Sequence, residues 1–181
     1  MLQAAAVPEP VWSPGPEPID EYIVPMQEAV EKNDVSYFRT LPRHLLAYRI
    51  MPLSGSDAFH DSGRGLGRHY EGTPLMLAAA DGKTALLSVL MGRGANIEAC
   101  DFAGRTAIVY AAVNGHADCV RLLQVAGARQ VQFALYMAAY AGQHAVVDSL
   151  LAAGVRPGLA PEWALMSDNP HPKLLSLREP D

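Results

Sequence analysis

The chain has 181 residues, half of them apolar and 18% charged, with a formal net charge of −5. That length suits one domain with tails and a sizeable core, and the composition argues against a largely disordered chain. The acidic balance gives no global case for nucleic-acid binding, and no run of about 18 apolar residues exists to span a membrane.

Residues 1–25 open as MLQAAAVPEPVWSPGPEP and hold six of the fourteen prolines. They read as a proline-rich arm, either a stiff linker or a polyproline-II ligand for another domain. They lack the basic and apolar regions of a secretory signal. Only two cysteines are present, Cys100 and Cys119, which predicts neither a disulfide framework nor a metal site. The expectation is an intracellular, cytoplasmic protein.

Residues 26–41, MQEAVEKNDVSYFRTL, read as a helix pair. Asn33 falls at its turn, where Asn is the next choice after Gly for a left-handed backbone. Residues 42–72 read as an insertion or irregular loop. Positions 39 to 68 are locally basic, with Arg39, Arg43, Arg49, Arg64 and Arg68 set against only Asp57 and Asp61.

Beyond residue 72 the chain repeats itself. TPLMLAAADGKTALLSVLMGRGAN (73–96) aligns with TAIVYAAVNGHADCVRLLQVAGAR (106–129) at an offset of 33. FALYMAAYAGQHAVVDSLLAAGVR (133–156) follows at an offset of 27. In each copy two glycines stand twelve residues apart: Gly82 and Gly94, Gly115 and Gly127, Gly142 and Gly154. Thr73 suits an N-cap and Pro74 the first helical position. The first glycine of each pair predicts a turn between two antiparallel helices, and the second a helix stop. The apolar faces Val120 with Leu123, and Val147 with Leu150, belong to second helices.

A 33-residue period carrying T-P-L, A-A, a central G-H, L-L and G-A-N resembles the ankyrin-repeat pattern. The resemblance implies an all-α solenoid of three to five stacked helix–turn–helix units with short β-hairpin fingers. It implies repeats at 73–100, 101–129 and a shortened 130–158, between an N-terminal capping repeat at 26–41 and a degenerate cap at 159–181. In that last segment His171 falls opposite His144, and Leu174 opposite Val147. The chain departs from the pattern at Met76, Val109 and Tyr136, where the family usually has His. Phe133 replaces the capping Thr, and six residues are missing before it. One well-formed finger is therefore expected, around 96–105, with an irregular projection from the insertion.

The resemblance also implies that finger tips and first-helix ends contact a partner protein. Those positions are Cys100, Phe102, Ala103 and Arg105 on the finger, and Asp81, Val113, Asn114, Tyr140 and Ala141 on the helices. The expected function is a protein–protein interaction module, monomeric, with no cofactor, nucleic acid or membrane partner. No catalytic residues are expected. His116 and His144 fall at the interhelical turns and read as structural, and Cys119 reads as a buried thiol. His60, Asp61 and His69 share a loop without a recognised metal spacing, and Ser62 beside them shows no triad geometry. SGRGLGR (62–68) offers the alternative function, an anion- or nucleotide-binding regulator using Arg64 and Arg68, although no P-loop or dinucleotide signature is present.

Overall fold

Each helix pair is closed by the same local device. At the end of the first helix the backbone enters the left-handed region at one residue: Gly82 (φ 69°), Gly115 (φ 82°) and Gly142 (φ 73°). Two backbone bonds then satisfy the last carbonyls, as in Gly115 N–H to Ala112 (3.2 Å) and His116 N–H to Ala111 (2.9 Å). That is the Schellman arrangement, and it forces a stop and a reversal. Asn33 does the same work at φ 54°.

This is a computed structural model, and it describes residues 20–50, 72–156 and 171–175. The helices in chain order are α1 (Asp20–Glu31), α2 (Val35–Thr40), a 3-10 helix (Arg43–Ala47), α3 (Pro74–Ala80) and α4 (Thr84–Gly92). They continue with α5 (Ala107–Val113), α6 (Ala117–Val125), α7 (Val131–Tyr140), α8 (His144–Ala152) and a short α9 (Pro172–Leu175). First helices form one row, with α1 on α3, α3 on α5 and α5 on α7; second helices form another, with α2 on α4, α4 on α6 and α6 on α8. The described residues form an all-α ankyrin-type solenoid.

The core follows from this layering. An inner helix has neighbours on two sides and an outer helix beneath, so α3 is buried at every residue and α5 at all but Val113. Their alanines, Ala78–Ala80 and Ala111–Ala112, are fully buried and let adjacent helices approach closely. Outer helices bury one stripe at repeated positions: Leu86, Leu87 and Leu90; Cys119, Val120 and Leu123; Val146, Val147 and Leu150. Leu174 of α9 is also fully buried. Beside it the His171 ring stands 5.1 Å from that of His144, with Nε2 3.5 Å from Asp148 Oδ2, and Lys173 pairs with Asp148.

Two local expectations change. The segment read as irregular from residue 42 is packed as far as Ile50, because Leu45, Leu46 and Ile50 all turn into the core. Ile50 and Gly72 exchange two backbone bonds (2.8 and 3.1 Å), which brings the roots of the insertion together. The finger at 96–105 is minimal, a tight turn with one antiparallel bridge between Cys100 and Thr106. Before Phe133 there is no finger at all, as the six missing residues imply. Helix α7 starts two residues earlier, at Val131, and takes up that space.

Thr73 caps α3, its oxygen accepting from Met76 N–H (3.4 Å). Thr106 does not cap α5; its hydroxyl donates instead to Gln130 Oε1 (3.1 Å) on the next repeat.

Candidate interaction surface

The finger tip is built on a buried ion pair. Asp101 and Arg105 bracket the turn, with side chains 0% and 8% exposed. Asp101 Oδ1 accepts from the backbone N–H of Ala103 (2.8 Å) and Arg105 (2.9 Å), a local closure that Asp favours. Its Oδ2 accepts from Arg105 Nε (2.8 Å) and Nη2 (2.6 Å) and from the Tyr110 hydroxyl (2.6 Å). The guanidinium carbon lies 5.2 Å from the centre of the Tyr110 ring. Burial, the largest influence, pushes the Asp101 carboxyl up. The hydrogen bonds from Tyr110 and Arg105, with the Arg105 charge, outweigh it and hold the group below the usual carboxylate range.

This corrects the reading of Arg105 as a partner-contacting residue. It is buried, and its guanidinium is used up beneath the finger. The residues above it are the accessible ones. Phe102 is 75% exposed at the apex, flanked by exposed Cys100 and Ala103.

Neighbouring repeats hold the finger in place. Arg49 Nη2 donates to the Cys100 carbonyl (2.7 Å) from one side. Gln130 Nε2 donates to the Gly104 carbonyl (2.8 Å) from the other, and Glu98 accepts from the Arg129 N–H (2.9 Å). None of these three was legible as a site residue, since a tie across 26 to 51 positions leaves no local pattern. Phe133, 38% exposed in the first turn of α7, was also missed. Its signal was present: an aromatic where the repeat has a capping hydroxyl.

The helix-end residues form a separate row. Asp81, Asn114 and Ala141 are the C-caps of α3, α5 and α7, and Val113 and Tyr140 precede the last two. All five are partly buried. Asp81 pairs with Lys83, and Asn114 Nδ2 donates to the Tyr110 carbonyl (2.9 Å). Helix α5 separates this row from the finger by roughly 10 Å, the rise of seven helical residues. The two sets therefore mark opposite edges of one face.

Along the helix-end edge the repeats are stitched together. His116 Nε2 donates to the Ala80 carbonyl (2.8 Å), and Gln143 Nε2 to the Val113 carbonyl (3.0 Å). A carbonyl only accepts, so the ring proton of His116 sits on Nε2. His116 is thereby committed to the stack. Arg64 and Arg68, like His60, Asp61, Ser62 and His69, lie outside the described residues. Among the described residues no group of three metal-ligating side chains converges, and no helix is long and apolar enough to cross a membrane.

The two thiols differ. Burial, aided by the charge of Asp118, pushes the Cys119 thiol up to about 11, whereas Cys100 is exposed. A thiol reagent at neutral pH should titrate one equivalent from the native protein and the second only in denaturant, because the thiolate is the reactive form. Two fast equivalents would contradict the packing of α6.

Two overlapping segments, residues 43–132 and 75–161, match the family model for ankyrin repeats (three copies). A comparison with curated proteins found no match. Ankyrin repeats are generally protein–protein interaction modules, and proteins built from them are typically not enzymes. With matched segments reaching from residue 43 to residue 161, about two thirds of its length, the chain belongs to the ankyrin-repeat family.

Proposed function

We propose that this chain is a protein-binding module that engages its partner through the concave face of the stack, anchored by the finger tip. The observation that carries this reading is Phe102, exposed at the apex of a turn locked from beneath by Asp101, Arg105 and Tyr110. An aromatic presented on a rigid support loses little entropy on binding, and aromatics dominate the energetics of interfaces. Exposed Cys100 and Ala103 border it. Asp81, Val113, Asn114, Tyr140 and Ala141 supply the opposite edge. The partner is another protein and the module acts as a monomer, without cofactor, metal or catalysis. In this reading 26–41 and 159–181 cap a stack whose inner repeats are 73–100, 101–129 and 130–158. Buried His171 and Leu174 support the second cap.

The test is affinity capture from native lysate, read by quantitative mass spectrometry. Wild-type protein is compared with a Phe102→Ala/Tyr140→Ala variant whose helicity is verified by circular dichroism. Losing an anchor of about 2 kcal/mol weakens binding roughly 30-fold, so true partners should disappear selectively from the variant. The same proteins retained on both baits would remove the concave face as the working surface.

A further inference from the structure

We propose that the corner between α2 and the 3-10 helix is a binding site for an acidic polypeptide segment, occupied by the chain's own proline-rich arm, residues 1–19. Three arginines belong to this corner. Arg93 reaches across from the end of α4 and donates to the carbonyls of Arg39 (2.6 Å) and Leu41. Its Nε is buried without a hydrogen-bond partner. Arg39 and Arg43 are exposed on either side of Leu41. Among the described residues, no carboxylate pairs with any of the three. A cluster of cations in a chain of net charge −5 repels itself and attracts a negative segment.

The path of the chain brings such a segment to the site. The short turn at 32–34 folds α2 back along α1, so the first residues of α1 and the last of α2 share one end of the pair. The arm is therefore tethered, through the start of α1 at Asp20, on the side of Arg39 and Arg43. Residues 1–19 contain Glu9 and Glu17, no Lys or Arg, and Trp12 between the two acids. Carboxylates pair with guanidinium groups, and an indole face receives one. A proline-rich segment of this length reaches up to roughly 60 Å at ~3.1 Å per residue. Tethering also holds it at millimolar effective concentration, so a few weak pairs suffice. The arm thereby shields the first repeat until a competing acidic surface displaces it.

Trp12 reports the contact in the full chain, its emission isolated by subtracting that of a Trp12→Phe variant. Acrylamide should quench Trp12 about two-fold less in the wild type than in Arg39→Gln/Arg43→Gln. Salt at about 0.5 M should abolish the difference, because the screening length falls to about 4 Å. Glu9→Gln/Glu17→Gln must release Trp12 to the same extent without touching the folded residues, which keeps the test decisive if the arginine variant loses helicity. Equal quenching in the wild type and the glutamate variant overturns the proposal. So does protection that disappears on dilution, since a second copy would then supply the segment.

Discussion

Replacing Asp101 with Asn should destabilise the protein by about 3–5 kcal/mol, the largest effect of any single polar substitution in the stack. The side chain is fully buried and accepts from two backbone N–H groups, the Arg105 guanidinium and the Tyr110 hydroxyl. Asn preserves the shape but leaves the Arg105 charge buried without a counter-charge. Urea unfolding followed by circular dichroism measures the loss. A double variant, Asp101→Asn/Arg105→Met, should recover part of it, because no uncompensated charge remains. A single variant that loses less than about 1 kcal/mol would mean that the pair does not hold the finger.

The same carboxylate predicts an acid limb. Asp101 titrates below its unfolded value, so its contribution is fully present above the ordinary Asp range near pH 3.9 and is lost as pH falls through the depressed native value. Between those two values the unfolded chain binds more protons, and wild-type stability rises with pH. Below about pH 4 the wild type should lose stability more steeply than Asp101→Asn, which lacks the group.

Gly82→Ala should cost about 2–4 kcal/mol, and Gly94→Ala about 1 kcal/mol, although both glycines adopt a left-handed backbone. What differs is the neighbour. A Cβ at Gly82 would stand 2.6 Å from His116 Nδ1 and 2.8 Å from Cε1, whereas nothing lies within 4 Å of one at Gly94. The ring must move, and it would then leave the Ala80 carbonyl without its donor. The cost of Gly82→Ala therefore includes a broken tie between repeats. A double-mutant cycle tests this directly: in a His116→Ala background the penalty at Gly82 should shrink towards that at Gly94. Additive losses would show that the tie contributes nothing to the penalty.

Gln143 meets Gly115 in the same way, with its Oε1 2.6 Å from the place of a Cβ. The turn glycines thus have two roles. The backbone role is local and visible in the chain as a spacing. The clearance role exists only once the next repeat is stacked.

That division runs through the whole protein. The helix pairs were legible because their causes are local. A left-handed turn selects Gly or Asn at one position, and a buried outer face repeats with the helical period, as at Leu86, Val120 and Val147. Two copies at a fixed offset turn those weak signals into a fold. Arg105 shows the limit of such reading. A charged residue next to a glycine in a turn reads as exposed, and only the closure of Asp101 and Tyr110 over it makes it a strut. Leu45, Leu46 and Ile50 sit in an arginine-rich stretch without helical period, and their burial comes from the helices they meet. Periodicity, capping and turn chemistry act over a few residues, so the sequence by itself determined the repeats and their class. Charge burial, the ties through His116, Gln130 and Arg49, and the exposure of Phe102 were decided by the tertiary structure. The ties join groups 26 to 51 positions apart that meet only when the stack forms, and the Asp101–Arg105 pair is buried only once Tyr110 packs against it.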